Sequence, residues 1–336
     1  MNIPFSYHRY AISSAVLLGL VLLYGLFFPY PWQKSKLSAT ACLLECQYCF
    51  ALVAPGCDTI YFSEVREDSI LAGLTCMPSS VMQTSYGSAF WYGPVPLLHL
   101  CRGRLLTAST IAGADSVVPS LQSRIYGLLS IQDTLMSRRE KAVTKEEQLL
   151  SYYMSTHDVA DEGYNQMGEH SARCKQMQED IRRVRTILDR QRRTGDVKVE
   201  YMATYIVYTP VDGDSSGTQS DTCHRIRVRQ NVVQLQTLSG KMPKGCHSVA
   251  PSLMTGMTFA SQSSRRRAVL AAYNYPVTKE TSLTEMTTRS IKGEVWKEGG
   301  SYATSIPLLG RAEGSPLFDS RGSLIGIVCK NKIIPY

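Results

Sequence analysis

Gly310-Arg-Ala-Glu-Gly-Ser-Pro-Leu-Phe-Asp-Ser-Arg-Gly-Ser-Leu-Ile-Gly-Ile-Val-Cys329 is the stretch on which the reading of this chain turns. A loop of small residues and proline leads into Leu317-Phe318. A turn follows at Asp319–Gly322, and the apolar run Leu324–Val328 comes after it. Short apolar runs bounded by turn residues signal strands rather than helices. The same texture extends upstream. Val197–Tyr208 is dense in β-branched and aromatic residues, and further runs occur near Ile226 and at Val232–Leu238, Met257–Phe259, Ala268–Tyr273 and Ile291–Val295. Residues 57–125 are also rich in short apolar runs and turns. Many short strands separated by Gly, Pro and Ser predict a mainly β chain built as a sandwich or barrel.

Three segments in order resemble the trypsin-like serine proteases, especially their HtrA-type branch. The tail resembles the strand that carries the nucleophile, with Glu313 where the family has Ser. Gly87-Ser88-Ala89-Phe90 and Arg104–Asp115 are similar to the strands leading to the catalytic His, whose position falls on Thr110, or on Ser109 with an offset of one. Asn231-Val-Val-Gln-Leu235 resembles the strand that supplies the triad Asp, with Asn231 at that position. The resemblance covers about 200 residues once a helical insert is set aside. It implies two six-stranded β-barrels.

The triad chemistry needs a nucleophile, a base with an accessible nitrogen and a carboxylate to orient that base. Thr110 cannot accept and relay a proton near neutral pH. Asn231 would not stabilise an imidazolium. Glu313 is a poor nucleophile, and its charge would repel a developing oxyanion. Three vacated positions predict a pseudoprotease with no catalytic residue. Two serines are rival nucleophiles. Gly213-Asp214-Ser215-Ser216-Gly217 mimics the motif but lies in a polar loop, and Ser315 is expected to point into the barrel wall. His99, His157, His170, His224 and His247 show no metal spacing, and Cys223-His224 with Cys246-His247 reads as filler. The expectation is therefore no metal and no cofactor.

Residues 126–195 break the β texture. Leu128, Ile131 and Leu135 have helical spacing, as do Leu149, Tyr152 and Tyr153, and Cys174, Met177, Ile181, Val184 and Leu188 repeat in a coiled-coil seam. Two helices joined around His157–Gly163 predict an antiparallel hairpin with about 30 residues per arm. It either packs on its own domain or projects to grip a partner.

Ten cysteines occur, four of them between Cys42 and Cys57. Cys42-x3-Cys46-x2-Cys49 resembles the cluster loop of radical S-adenosylmethionine enzymes, in which three thiolates hold iron. Such a loop should follow the first strand of a β/α barrel, and no such train of elements follows here. A structural zinc on Cys42, Cys46, Cys49 and Cys57, disulfides, and buried free thiols are the other readings.

Tyr10–Gln33 carries no charged residue and is flanked by aromatics at both ends. About 20 helical residues span a bilayer core, so this segment predicts an uncleaved anchor. A cleaved signal peptide is the rival, with Ala39-Thr40-Ala41 as its site, but Lys34 and Lys36 intervene. Net charge is +8, charged residues make up 19% and apolar ones 44% of the chain, and no basic block exceeds Arg265-Arg266-Arg267. That argues for a solvated basic surface and against nucleic acid. The expected organisation is an anchor (1–36), a cysteine-rich linker (37–60), a trypsin-like domain in two parts (61–125 and 196–336) and the hairpin insert (126–195). The expected role is a structural or accessory subunit of a membrane complex, held in the bilayer by residues 10–33. Anchored HtrA-type domains imply the mitochondrial inner membrane, with secretory or bacterial membranes as alternatives. An active serine hydrolase with a displaced triad and a Cys-cluster metal enzyme are the competing functions.

Overall fold

The computed structural model describes residues 13–20, 23, 36–66, 70–93, 101–210, 218–229, 231–249, 265–274, 287–298, 301–308 and 312–335. A first antiparallel sheet contains β1 (Ala41–Val53), β2 (Ile60–Phe62), β5 (Gln83–Trp91), β6 (Arg104–Ala108), β7 (Lys198–Pro210), β8 (Thr218–Arg229) and β9 (Val232–Thr237). Its order is β2-β1-β5-β6-β9-β8-β7, and β1 also pairs with β7, so six of the strands close on themselves. A second closed barrel follows β10 (Arg266–Asn274), β11 (Thr287–Glu298), β12 (Ser301–Thr304), β15 (Lys332–Pro335), β14 (Leu324–Cys329) and β13 (Pro316–Asp319), in that spatial order. Closure removes the unpaired edges that a β protein must otherwise protect. Two six-stranded barrels are the architecture that the trypsin-like resemblance implied.

The predicted strands fall where the apolar runs lie. All six residues of β14 are buried, as expected for a strand that packs on both faces. Leu270, Leu317, Ile325, Val328 and Ile333 fill the second barrel. Phe90, Leu106, Ala271, Phe318 and Ile327 form a separate cluster drawn from strands of both barrels. The run at Met257–Phe259 lies outside the described residues.

Contacts divide the chain into two units. One comprises Met1–Cys46, Thr84–Ala114 and Thr204–Tyr336, and the other Gln47–Gln83 and Asp115–Ala203. The second unit holds α1 (Val118–Thr156) and α2 (Tyr164–Thr194) with the far half of β1, β2 and the small ladder of β3 (Glu64–Val65) and β4 (Leu71–Ala72). The insert begins at Val118, earlier than the expected residue 126, because Pro119 suits the first helical turn and Leu121 and Ile125 are core residues. The two helices run antiparallel. Arg182 and Gln178 on α2 bond Glu140 and Thr144 on α1.

The hairpin is folded onto its own unit. Leu121, Ile125, Leu129, Ile187 and Leu188 share one core cluster with Phe50, Leu52, Ile60 and Phe62. Polar pins reinforce it. Buried Gln191 donates to the Leu52 and Asp58 carbonyls at 3.0 and 2.7 Å, and Gln132 accepts from the Leu71 N–H at 3.2 Å. The phase of the apolar stripe is corrected on both arms. Leu150 is buried whereas Leu149 and Tyr152 are 63% and 69% exposed, and Ile131 and Met177 are exposed too. Cys174, Ile181, Val184 and Leu188 are buried as expected.

Residues 37–60, expected as a cysteine-rich linker, contain β1, so four of the ten cysteines belong to or follow a barrel strand. Of the expected membrane span, only residues 13–20 and 23 are described, all helical. Among the described residues no helix is long and apolar enough to cross a membrane.

Candidate functional site

Thr110, Asn231 and Glu313, the residues expected at the triad positions, all lie in the first unit. β6 ends in the single helical turn Ser109–Ala112, which carries Thr110. The Ser109 N–H donates to the Asn231 carbonyl at 2.8 Å, bringing the loop before β9 against that turn. The Thr110 hydroxyl donates to Glu313 Oε2 at 2.6 Å, across 203 residues of sequence. The positions matched to the family's base and nucleophile are thus hydrogen-bonded to each other. The offset that would have put Ser109 at the base position is not the one whose side chain faces Glu313.

Glu313 also accepts, through Oε1, the Asn331 N–H at 2.9 Å. Lys330 and Asn331 have φ of 53° and 56° and join the paired residues Cys329 and Lys332 of β14 and β15. Such a two-residue hairpin turn leaves its second central N–H outside the ladder. Glu313 supplies the missing acceptor.

The loop around Glu313 is fixed by backbone bonds. Its carbonyl accepts the Ser88 N–H at 2.8 Å, while the N–H groups of Gly314 and Ser315 donate to Val328 O and Ala312 O at 2.9 and 3.0 Å. Gly314 has φ of 78°, and a Cβ there would stand 1.9 Å from the Ser88 carbonyl oxygen. Only glycine permits this approach. The backbone of this loop is thus fixed while its side chain at 313 is a carboxylate.

Thr110 donates its hydroxyl proton to a carboxylate, and a threonine cannot serve as a relay base. Ser315 is fully buried with its hydroxyl unpartnered, so no substrate reaches it. The Gly213–Gly217 loop and His99 lie outside the described residues. His157 stacks on Tyr153 at 3.9 Å between ring centres, and His224 is exposed next to buried Cys223. Adjacent strand residues point to opposite faces, so Cys223-His224 does not offer two ligands to one ion.

The same alternation disposes of the iron–sulfur reading. Cys42 and Cys46 share one face of β1, and Cys49 lies on the other. All three are buried, and burial pushes the Cys42 thiol well above its ordinary value, away from the thiolate a cluster needs. Cys42 instead donates to the Ala89 carbonyl at 3.3 Å. None of the ten cysteines is joined in a disulfide, so the disulfides weighed from sequence do not form.

Cavities of ligand size occur in both units among the described residues. One of about 410 Å³ in the first unit is lined by Tyr92, Leu106, Arg227, Arg229, Val232, Gln234 and Pro335. One of about 800 Å³ in the second unit is lined by Leu71, Cys76, Met136, Arg139, Asp180 and Val184, among others. Neither is lined by Thr110, Asn231 or Glu313. Sequence reading missed one cluster, Glu146 with His170 and Cys174, whose only sequence signal is the four-residue spacing of the last two.

No family model matches the chain, and no curated protein matches it in sequence. Among solved structures, the crystal structure of Deg5 is similar with a TM-score of 0.37 and 11% identity, covering 90% of this chain and 86% of that one. A likeness at that level says nothing about the site. The two-barrel fold stands on the strand pairing itself.

Proposed function

We propose that this chain is a catalytically silent trypsin-like domain that serves as a structural or accessory subunit of a membrane complex. The observation that carries the reading is the bond from Thr110 to Glu313, with Asn331 on the other carboxylate oxygen. The side chains at the base and nucleophile positions satisfy each other and hold two loops together. They work as a clasp where a protease keeps a reactive pair.

Membrane attachment through residues 10–33 is part of the proposal. Val16, Leu17, Leu18 and Leu20 are each at least 57% exposed on the described helical residues, an apolar surface that water does not favour. Partner subunits and the mitochondrial inner membrane complete the reading. They rest on the anchor-like sequence and on the family resemblance.

A fluorophosphonate probe tests the silent site directly. The purified full-length chain should remain unlabelled under conditions that label an active serine hydrolase. Labelling at a single serine would establish the displaced-triad enzyme instead. Purification of the detergent-solubilised chain with stoichiometric protein partners supports the subunit role, and its recovery alone from the membrane opposes it.

A further inference from the structure

We propose that Glu146, His170 and Cys174 form a zinc site that clamps the two arms of the helical hairpin together. His170 and Cys174 are one helical turn apart on α2, so both face the same way. Glu146 comes from α1 on the opposite arm. One donor atom from each of the three lies within 4.8 Å of the others, and His170 Nε2 is 3.2 Å from Glu146 Oε1. Tetrahedral zinc with ligands at about 2.0–2.3 Å separates neighbouring donors by about 3.3–3.7 Å. Small rotations of side chains therefore bring the trio onto one ion.

The donor set selects the metal. A thiol, an imidazole and a carboxylate suit zinc, whereas calcium and magnesium take oxygen ligands. Cys174 is buried, His170 half-buried and Glu146 exposed. The site is thus closed on its core side and open to water on the other, leaving a place for a fourth ligand. The groups facing the thiol are Glu146 and Glu147 from α1 and Arg173 from its own helix. Zinc binds the thiolate form, so the Cys174 proton leaves on binding. Lys175 and Ser151 already engage Glu147, at 3.7 and 2.7 Å, which leaves Glu146 as the available carboxylate.

The location supplies a reason for a clamp. No residue from 151 to 170 is buried, so the apolar seam ends at Leu150 and Cys174. Beyond them the arms meet through the turn and through partly exposed side chains such as Met154 beside Gly168. An ion at the end of the seam cross-links α1 to α2 where no fully buried side chain does.

The test uses the full-length chain stripped of metal with a chelator and titrated with zinc chloride, then separately with cobalt chloride. The wild type should bind one zinc that His170→Ala and Cys174→Ser do not. Its cobalt form should show a thiolate charge-transfer band that is lost in Cys174→Ser and kept in Cys246→Ser. Loss of a ligand should weaken binding by more than the about 10–100-fold that an outer-shell partner is worth. Zinc should also slow proteolysis at residues 157–163. His170→Ala alters a half-buried side chain, so it remains decisive if Cys174→Ser fails to fold. Absence of zinc uptake by the wild type, or unchanged uptake in His170→Ala, overturns the proposal and leaves Glu146 and His170 as an interhelical pair.

Discussion

Replacing Glu313 by alanine removes both halves of the clasp at once. The lost bonds are those from the Thr110 hydroxyl at 2.6 Å and the Asn331 N–H at 2.9 Å. A hydrogen bond to a charged group nets about 1.5–3 kcal/mol when well buried and a neutral one about 0.5–1.5 kcal/mol. Glu313 is half-buried, so water competes for its oxygens and replaces them for the orphaned donors. The lower range applies to each bond, and the sum is about 1–3 kcal/mol. For a domain of this size that lowers Tm by about 2–10 °C. Calorimetry of the full-length chain measures the shift. Thr110→Val should reproduce about half of it. The double variant should fall short of additivity by about 0.5–1.5 kcal/mol, because the second change removes a bond already gone. A Glu313→Ala protein that melts with the wild type, or strict additivity with Thr110→Val, would refute the clasp and leave Glu313 as a solvated side chain.

Two further perturbations probe the scaffold around that clasp and the hairpin. Gly314→Ala forces a Cβ to within 1.9 Å of the Ser88 carbonyl at a left-handed φ of 78°, so a loss above about 3 kcal/mol is expected in denaturant titrations. A change below about 1 kcal/mol would mean that the loop is not held as described. On the hairpin, hydrogen bonds from Arg182 and Arg185 hold the Glu140 carboxyl below the usual carboxylate range. The folded-state value lies under the unfolded one, so this contribution is full above about pH 4.3 and is lost as acid protonates the folded carboxylate. Urea titrations from neutral to acid pH should therefore show a shallower acid slope for Glu140→Gln than for the wild type. Parallel slopes would remove Glu140 from the account.

The strands and the helical pair were legible in the sequence because both depend on short-range pattern. Leu324–Val328 is a buried strand by its own composition, and the repeat at Cys174, Ile181, Val184 and Leu188 needs no neighbour to be recognised as helical. The phase of α1 was not legible. Leu149 and Leu150 are both good helix core residues, and only the facing arm decides that Leu150 is the one buried. The cysteines of β1 illustrate the same limit. Their spacing permits a shared metal in a loop, but pairing into a barrel strand alternates their faces and removes that option.

The vacated triad combines both levels. The sequence motifs placed Glu313, Thr110 and Asn231, as an expectation, where a protease keeps its machinery, because the flanking motifs are local. They did not determine what Glu313 does in place of a nucleophile. That required strand closure to carry the 310s loop to a turn 203 residues earlier in the chain, where a hydroxyl awaited an acceptor. It also required the β14–β15 turn, whose backbone N–H had no partner within its own hairpin. Likewise, the four-residue spacing of His170 and Cys174 went unread in the sequence, and only the antiparallel return of the helices brought Glu146 to it. Residue types and short periods are written along the chain. Which side chains meet across hundreds of residues is set by the packing that buries the apolar faces between them.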